Sequence, residues 1–541
     1  MIKALLTLLA FGLMPLSSAA VAPSLALPNA YAPDELEPLS GSLLLAGEGA
    51  LSDAVRSAFV DLAGGGAAHI VELAGPGKGE ADATEGESPD WTQAGAAKRD
   101  RIEVSTPEDL LKPPTIVALL GAGGIWIDQL PAEVLGDPVL QALLSSALDR
   151  GAAVGAGGED ARRLTGVPGV DEDRLCLAPR IELVFGVSDV GNTDPHHKAA
   201  RNLPGRIVVA LADGAAVALF GGRSVACLGS DSVGFAIYRD GPTQVDEQVF
   251  QGAAHRPGNP LESRLDLLSW IRQARQAEQP VFPPSDPAKP TLAKGTLLVQ
   301  GGGGVSEDTW NRYIDLAGGI DAQFVCIPSA SEFDDDHAPR SYSAQELRER
   351  GCMNVTIAHA GSRTAANQDR RILASLAAAD AVWIDGGRTF RFMDRIGETH
   401  AEAAIRAVLE RGGVVGGSSA GCQVVGDFLV RGNPRSNSEM TFEGYTRGMG
   451  LLGGVVIDAH FIERRRQDQL ARLVRVHPQL LGLGIDAGSA LLVQGSVGEV
   501  LGTGAGVVVY DGRTGEPLEN EGVRIKAGER FDLVTGTRVG K

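Results

Sequence analysis

The sequence predicts an α/β protein that consists of two tandem copies of one domain, each built on a mostly parallel β-sheet. Two segments that begin at Gly41 and Gly295 align without gaps, and residues 61–65 recur letter for letter at 315–319. Both segments read as strand, glycine-rich turn, helix and strand, which is the opening of a parallel βαβ unit. The proline-rich segment 279–287 separates the copies, because it can continue neither a helix nor a central strand.

The correspondence between the copies continues downstream and defines the domain boundaries. Three more pairs of segments match, namely 124–128 with 381–385, 148–155 with 409–416, and 187–191 with 456–460. A chain of 541 residues is also too long for one hydrophobic core. We therefore expect a signal peptide at 1–22, a first copy at 38–245, a linker at 246–290, a second copy at 291–515, and a β-rich C-terminal extension at 516–541.

The composition is that of a globular protein with an acidic surface. Hydrophobic residues make up 43% of the chain and charged residues 22%, and the formal net charge is −19. This charge argues against nucleic acid or an anionic membrane as the main partner. The five cysteines have the spacing of neither a disulfide framework nor a metal site, so we interpret them as buried apolar residues.

The amino terminus has the pattern of a secretion signal. Lys3 supplies the positive charge, residues 4–16 form a short apolar core, and the small residues 17–20 offer a processing site. We expect a periplasmic or extracellular mature protein with no membrane contact after cleavage. An uncleaved membrane anchor is the alternative.

Ser419 is the candidate nucleophile. It lies in a glycine-framed turn between the apolar run 412–415 and the helix-like run 423–430, which is the arrangement of a nucleophile elbow. Such a turn exposes the hydroxyl and directs the backbone N–H of Ala420 toward a developing oxyanion. Because the chain has 71 glycines, an ordinary glycine-rich turn is the alternative.

A serine hydroxyl needs a base within hydrogen-bond reach, and His460 is the best candidate. It follows the β-branched run 453–458, so it lies at the end of a buried strand, where α/β sheets place their ligands. Gly387 follows the strand 381–385 and is the candidate for a second oxyanion donor, unless it belongs to a simple turn. Arg464 and Arg466 are candidates to clamp a substrate carboxylate, or else they form a solvated basic helix start.

The first copy lacks both catalytic groups. Gly158 stands where the second copy has Ser419, and Gly191 stands where it has His460. The first copy is therefore predicted to be degenerate, with a role in packing, in shaping the cleft of the second copy, or in binding polymer. An intramolecular pseudo-dimer or a homodimer would follow from the duplication.

Several spaced motifs of the second copy occur in the order found in cyanophycinases. They are LVQGG at 298–302, IPSAS at 327–331, WIDGG at 383–387, the elbow, GGVVIDAHF at 453–461 and GLGID at 482–486. Together with dipeptidase E, cyanophycinases form a group of serine peptidases on a flavodoxin-like, class-I-glutamine-amidotransferase-like α/β fold. The resemblance covers roughly residues 295–512 and, in degenerate form, 41–241.

This resemblance implies hydrolysis of a peptide or isopeptide bond through an acyl-enzyme, without metal or cofactor. Ser419 would be the nucleophile, His460 the base, and the amides of Gly387 and Ala420 the oxyanion hole. Cyanophycinases cut the β-linked Asp-Arg polymer cyanophycin into dipeptides, so cyanophycin is one candidate substrate. The substrate-binding residues would be Arg388, Thr389, Asp458, Arg464 and Arg466.

The sequence departs from the family pattern at the third catalytic position. Ala487 stands where cyanophycinases carry the acid of the triad, and Asp486 and Asp427 are the nearest substitutes. Without an orienting acid, turnover falls by orders of magnitude. A catalytically inactive, cyanophycinase-like binding protein is therefore the main alternative, and an acyl-transfer enzyme such as an amidotransferase is a second. The glycine run 301–304 lacks the residues of a phosphate-binding loop, and the acidic run 334–337 is interpreted as a solvated loop and not as a metal site.

Overall fold

The computed structural model describes residues 36–540, apart from 39, 77–88, 168–169, 172–173, 186–193, 230–231, 239–244, 257, 333–339 and 516–521. The predicted signal peptide lies outside the described residues. The rest belongs to one compact unit, Asp34–Lys541. No helix among the described residues combines the length and the apolar character that a membrane crossing would require.

The first half of the chain contains fourteen strands and eight α-helices among its described residues. The strands are β1 (Ser42–Ala46), β2 (His69–Ala74), β3 (Lys98–Glu103), β4 (Gly124–Asp128), β5 (Ala153–Gly157), β6 (Thr165–Gly166), β7 (Ala178–Pro179), β8 (Ile181–Val184), β9 (Ile207–Leu211), β10 (Ala216–Phe220), β11 (Ser224–Leu228), β12 (Ser232–Tyr238), β13 (Val245–Gln251) and β14 (Leu265–Asp266). The helices are α1 (Asp53–Leu62), α2 (Pro107–Leu110), α3 (Pro113–Gly121), α4 (Ala132–Leu135), α5 (Pro138–Asp149), α6 (Gly158–Arg163), α7 (Asp194–Asn202) and α8 (Leu267–Ala277).

The second half contains the remaining elements. The strands are β15 (Thr296–Gln300), β16 (Gln323–Ile327), β17 (Asn354–Ile357), β18 (Ala381–Ile384), β19 (Val414–Ser418), β20 (Gly426–Phe428), β21 (Leu452–Asp458), β22 (Leu481–Ile485), β23 (Ser489–Gln494), β24 (Val497–Gly502), β25 (Val507–Asp511), β26 (Val523–Ile525), β27 (Arg530–Asp532) and β28 (Arg538–Val539). The helices are α9 (Glu307–Ala317), α10 (Tyr342–Glu349), α11 (Arg363–Gln368), α12 (Arg370–Ala378), α13 (Thr389–Arg395), α14 (His400–Glu410), α15 (Ala420–Gln423) and α16 (Gln467–Val476).

The large sheets of the two halves have the same strand order. In the first half, β3-β2-β4-β5-β1 run parallel and β10, β11 and β14 extend the sheet antiparallel. In the second half, β17-β16-β18-β19-β15 run parallel and β23, β24, β27 and β28 extend it antiparallel. The fold is therefore α/β with mostly parallel central strands, as the sequence predicts.

The smaller sheets correspond as well. The order β8-β9-β12-β13 in the first half matches β21-β22-β25-β26 in the second, and the parallel and antiparallel pairs fall in the same places. This agreement supports the predicted duplication. In the C-terminal extension, β26 joins the smaller sheet and β27 and β28 lie at the edge of the large one.

The central strands are apolar because both of their faces are covered. In β15, Leu297 and Val299 contribute to one buried cluster and Leu298 to the other, on the opposite face of the sheet. The neighbouring helices present apolar stripes to these clusters and begin at capping residues, such as Ser306 before α9 and Thr399 before α14. This packing holds the ends of β15, β18 and β19 together at one edge of the sheet.

The linker predicted at 246–290 is wrong in part. Residues 246–251 form most of β13, and β14 and α8 cover 265–277, whereas the described residues of 252–264 and 278–290 lie in neither strand nor α-helix. Helix α8 forms because Leu267, Trp270, Ile271 and Ala274 share an apolar face that is buried in the core of the first half. Its other face contacts the second half, where the Ser269 hydroxyl donates to the Glu443 carbonyl at 2.6 Å.

Candidate active site

Ser419 stands on a strained turn between β19 and α15. Its backbone has φ 54° and ψ −116°, which side-chain-bearing residues rarely adopt, and its N–H donates to the Gln300 carbonyl at 2.9 Å. The flanking glycines are required by space, since a Cβ on Gly421 would lie 2.1 Å from the Ile384 carbonyl oxygen. The turn therefore has the geometry of a nucleophile elbow.

His460 meets Ser419 over the same sheet edge. It follows the end of β21 with φ 49°, and its N–H donates to the Gly301 carbonyl at 2.7 Å, which ties it to the end of β15. The Ser419 Oγ and the His460 Nε2 are 3.1 Å apart, within hydrogen-bond distance. A Cβ on Gly302 would lie 2.2 Å from His460 Nε2, so only glycine leaves room for the ring.

The other ring nitrogen of His460 contacts an acid that the sequence analysis missed. Glu463 Oε2 lies 2.7 Å from His460 Nδ1. The hydrogen bond from His460 holds the pKa of Glu463 below its usual range, so this carboxylate is ionised at neutral pH. An ionised acceptor places the imidazole proton on Nδ1 and leaves Nε2 free to accept the serine proton. The order Ser419–His460–Glu463 is that of a catalytic triad.

The two predicted substitutes for the triad acid are wrong. Asp486 Oδ1 accepts hydrogen bonds from the backbone N–H groups of Ile462 at 2.9 Å and Glu463 at 3.0 Å, so it shapes the turn that carries Glu463 without touching His460. Asp427 lies in β20, and its carboxylate accepts a hydrogen bond from the Gly454 N–H at 3.2 Å. The sequence signal that could have identified the acid is a glutamate three positions after His460. The helix start that was the alternative for Arg464 and Arg466 would also have taken up Glu463, whereas α16 begins only at Gln467.

Both predicted oxyanion donors lie beside the nucleophile. Ala420 is the first residue of α15, so its N–H points out of the helix start next to Ser419. A Cβ on Gly386 would lie 3.3 Å from Ser419 Cβ, which shows that the Gly386–Gly387 turn passes alongside the serine. Gly387 is exposed, and with φ 149° and the Ala330 carbonyl 2.2 Å from any added Cβ, it can only be glycine.

Asp458 and Arg466 are not available to a substrate, in contrast to the prediction. Asp458 is completely buried, and its carboxylate accepts from the side chains of three residues: Gln423 at 2.8 Å, Arg431 at 2.6 Å and Arg466 at 2.8 Å. Arg466 also donates to the Ala459 carbonyl at 2.7 Å. One buried carboxylate is thus shared by two guanidinium groups at the end of β21, two residues before His460.

Arg388 and Thr389, which are also predicted to contact substrate, make hydrogen bonds to backbone carbonyls of the protein itself. Arg388 Nη2 donates to the Asn433 carbonyl at 2.6 Å and the Ser436 carbonyl at 3.1 Å. The buried Thr389 hydroxyl donates to the Arg431 carbonyl at 2.8 Å. Both side chains fasten the loop after β20. Of the predicted substrate-binding residues, Arg464 alone is exposed and has no hydrogen bond or ion pair from its side chain within the described part of the chain.

Cys422 and the elbow position of the first copy do not offer a second nucleophile. Burial raises the pKa of the Cys422 thiol, so it stays protonated beneath the elbow. In the first copy, Gly158 occupies the elbow position with φ 52°, and Asp160 accepts a hydrogen bond from the Gln129 N–H at the turn after β4. Gly191, predicted to replace the histidine, lies outside the described residues.

Replacing Glu463 with glutamine is expected to lower kcat/KM by about 10- to 100-fold, because the neutral amide no longer stabilises the imidazolium. The effect stays below that of a buried triad acid, since the Glu463 side chain is 52% exposed and water screens its charge. Steady-state hydrolysis measures this change. Asp468→Asn, which alters an exposed acid of the next helix, should retain full activity. Equal rates for both variants would exclude Glu463 from catalysis.

Comparison with known proteins places the second half among peptidases. The family model for peptidase family S51 matches residues 297–501. The chain is 31% identical to the cyanophycinase of Synechococcus elongatus over 221 residues, or 39% of this chain and 67% of that protein. It is 29% identical to the cyanophycinase of Trichormus variabilis over 233 residues, or 41% and 75%. It is 30% identical to peptidase E of Actinobacillus pleuropneumoniae serotype 5b over 132 residues, or 23% and 55%.

Proposed function

Because this chain belongs to the cyanophycinase and dipeptidase E family of serine-type peptidases, family S51, we propose that it is an active hydrolase that cleaves peptide or isopeptide bonds through an acyl-enzyme. The observation that carries the proposal is the chain of hydrogen bonds from Ser419 through His460 to Glu463. It weighs against the main argument for an inactive binding protein, which was the alanine at position 487, because Glu463 supplies a carboxylate to His460 from another position.

In the proposed mechanism, one proton passes between Ser419, His460 and the leaving group. Ser419 Oγ attacks the carbonyl carbon while its proton passes to His460 Nε2, and the imidazolium that forms is stabilised by the Glu463 carboxylate. The negative carbonyl oxygen faces the amides of Gly387 and Ala420. Collapse of the tetrahedral intermediate breaks the C–N bond, and the leaving amine takes the proton from Nε2. A water molecule then loses its proton to His460 and releases the acid, restoring the serine.

The substrate is proposed to carry a carboxylate beside the scissile bond, as acidic and isoaspartyl peptides and cyanophycin do. Arg464 supports this, because it is exposed, lies in the turn that follows His460, and donates its backbone N–H to the His460 carbonyl at 3.0 Å. Arg388 and Arg466, by contrast, are held by the protein itself. An exposed guanidinium can bind a carboxylate bidentately.

Arg464→Gln is expected to raise KM about tenfold for a substrate with such a carboxylate, with a smaller change in kcat, because a charged hydrogen bond is lost in both the ground and transition states. Arg465→Gln is the matched control, since Arg465 is the next residue of the same turn and is also an exposed arginine. Initial rates over a range of substrate concentrations separate the two constants. An equal rise in KM for both variants would point to a general effect of charge and not to a binding contact.

The hydrolase proposal is tested with a fluorophosphonate probe and a substrate panel. The full chain should form a covalent adduct that peptide mapping assigns to Ser419 and not to Ser418. It should also release products from at least one of cyanophycin, an isoaspartyl dipeptide or an α-linked aspartyl peptide. If the protein forms no adduct and hydrolyses none of these substrates, the result would favour the inactive binding protein.

The protein is further proposed to act outside the cytoplasm, as a periplasmic or extracellular enzyme. The support is the sequence pattern at residues 1–22, with Lys3 before a short apolar run. Expression of the full chain with fractionation of the cells tests this. A mature amino terminus near residue 20 in the exported fraction is expected, whereas an intact chain in the cytoplasm would contradict it.

A further inference from the structure

Helix α13 joins the oxyanion turn to the first half of the chain. It begins at Thr389, two residues after Gly387, and its last turn carries Asp394, a carboxylate that is 7% exposed. The helix has seven residues and is therefore about 10 Å long, so its two ends move as one body. Whatever fixes Asp394 also limits where Gly387 can stand.

Two arginines of the degenerate half form ion pairs with Asp394. Arg223, in the turn between β10 and β11, donates from Nη1 to Asp394 Oδ2 at 2.9 Å. Arg272, on α8, donates from Nη2 to Asp394 Oδ1 at 3.2 Å and to the Met393 carbonyl at 3.0 Å. Within the described residues of the second half, the hydrogen bond to this carboxylate comes from the Tyr445 hydroxyl at 2.6 Å.

The same arginines also contact Phe390, in the first turn of α13, and Tyr445, which binds Asp394. The Arg223 guanidinium lies 4.9 Å from the centre of the Phe390 ring, in the first turn of the helix, and its Nη2 donates to the Tyr445 hydroxyl at 2.9 Å. The Arg272 guanidinium lies 4.9 Å from the centre of the Tyr445 ring. At the start of the helix, the Arg388 N–H donates to the Ala330 carbonyl at 2.9 Å, directly beside Gly387.

We propose that the first half is an intramolecular positioning partner of the catalytic half: Arg223 and Arg272 hold α13 through Asp394 and thereby set the position of the Gly387 amide. The inference rests on the proposed hydrolase function for its kinetic consequence only. A displacement of about 1 Å at such a donor lowers turnover by up to about 100-fold, whereas it barely affects the binding of the rest of a substrate. This role would explain why the chain keeps a first half that lacks the nucleophile.

The test uses the full chain with Arg223→Gln, which removes the charge from Asp394 and Phe390 together. Two readouts are compared with the wild type: hydrolysis, and hydrogen exchange of the backbone amides at 386–395. We expect kcat to fall about tenfold with KM within about twofold, and faster exchange at these amides. Arg223→Lys, which keeps the charge, should recover part of both. Arg275→Gln is the matched control, because Arg275 also crosses between the halves but pairs with Glu398, beyond the end of α13, at 2.7 Å.

A folded Arg223→Gln protein with wild-type kcat and wild-type exchange at 386–395 would overturn the inference. The inference would also be overturned if Arg223→Gln and Arg275→Gln lowered kcat equally. The loss would then come from weakening any contact between the halves and not from Asp394. If the wild type hydrolyses nothing, the proposed function fails, but the exchange experiment still decides whether the first half holds α13. If Arg223→Gln does not fold, Arg223→Lys against the same control gives both readouts.

Discussion

Replacing Ser419 with alanine is expected to lower peptide hydrolysis by at least about a thousandfold, because the hydroxyl that lies 3.1 Å from His460 Nε2 is lost. The fold should be unaffected. Alanine keeps the Cβ and the same strained backbone, and the removed hydroxyl makes no contact in the core, so the free energy of unfolding should change by no more than about 0.5 kcal/mol. Steady-state kinetics and denaturant unfolding measure the two effects separately.

Ser418→Ala is the matched control for this experiment. Ser418 is the last residue of β19 and precedes the elbow, so its loss should leave turnover within about threefold of the wild type. His460→Ala should cost nearly as much as Ser419→Ala, and the double variant should be little worse than either, because the two side chains act as one unit. Full activity of Ser419→Ala would refute the proposed chemistry.

Replacing Asp458 with alanine is expected to destabilise the protein by about 3–5 kcal/mol, because Arg431 and Arg466 would be left as buried cations without their shared carboxylate. Arg431 is 1% exposed and Arg466 is 5% exposed, so water cannot replace the lost partner. Activity should fall as well, since Asp458 ends the strand that carries His460. Thermal or denaturant unfolding measures the loss of stability.

The control for Asp458→Ala is Arg464→Gln, a change of an exposed charge in the turn after the same strand. It should alter the free energy of unfolding by less than about 0.5 kcal/mol. If Asp458→Ala were equally mild, and affected only KM, then Asp458 would be a substrate-binding residue after all. The buried network described above would then have no energetic role.

The tandem arrangement and the serine–histidine pair could be predicted because each rests on local or repeated patterns. The repeat beginning at Gly41 and Gly295 shows which residues form strands and turns, since two copies agree on them. The small residues around Ser419 and the β-branched run before His460 each indicate a strand end. Parallel strands present these ends at one edge of a sheet, so the two side chains were expected to meet.

The triad acid and the substrate contacts depended on the tertiary structure. Glu463 reaches His460 because the backbone turns at His460 with φ 49° and because Asp486 binds the amides of Ile462 and Glu463. Neither contact can be predicted from the spacing of residues in the sequence. Arg466 was indistinguishable from Arg464 in the sequence, yet it turns inward to Asp458. By itself the sequence therefore predicted the α/β fold, the repeated strand order, and which serine and histidine lie together. Which charged side chains face the cleft was decided only by packing, because a buried charge must find its partner wherever the folded chain brings one.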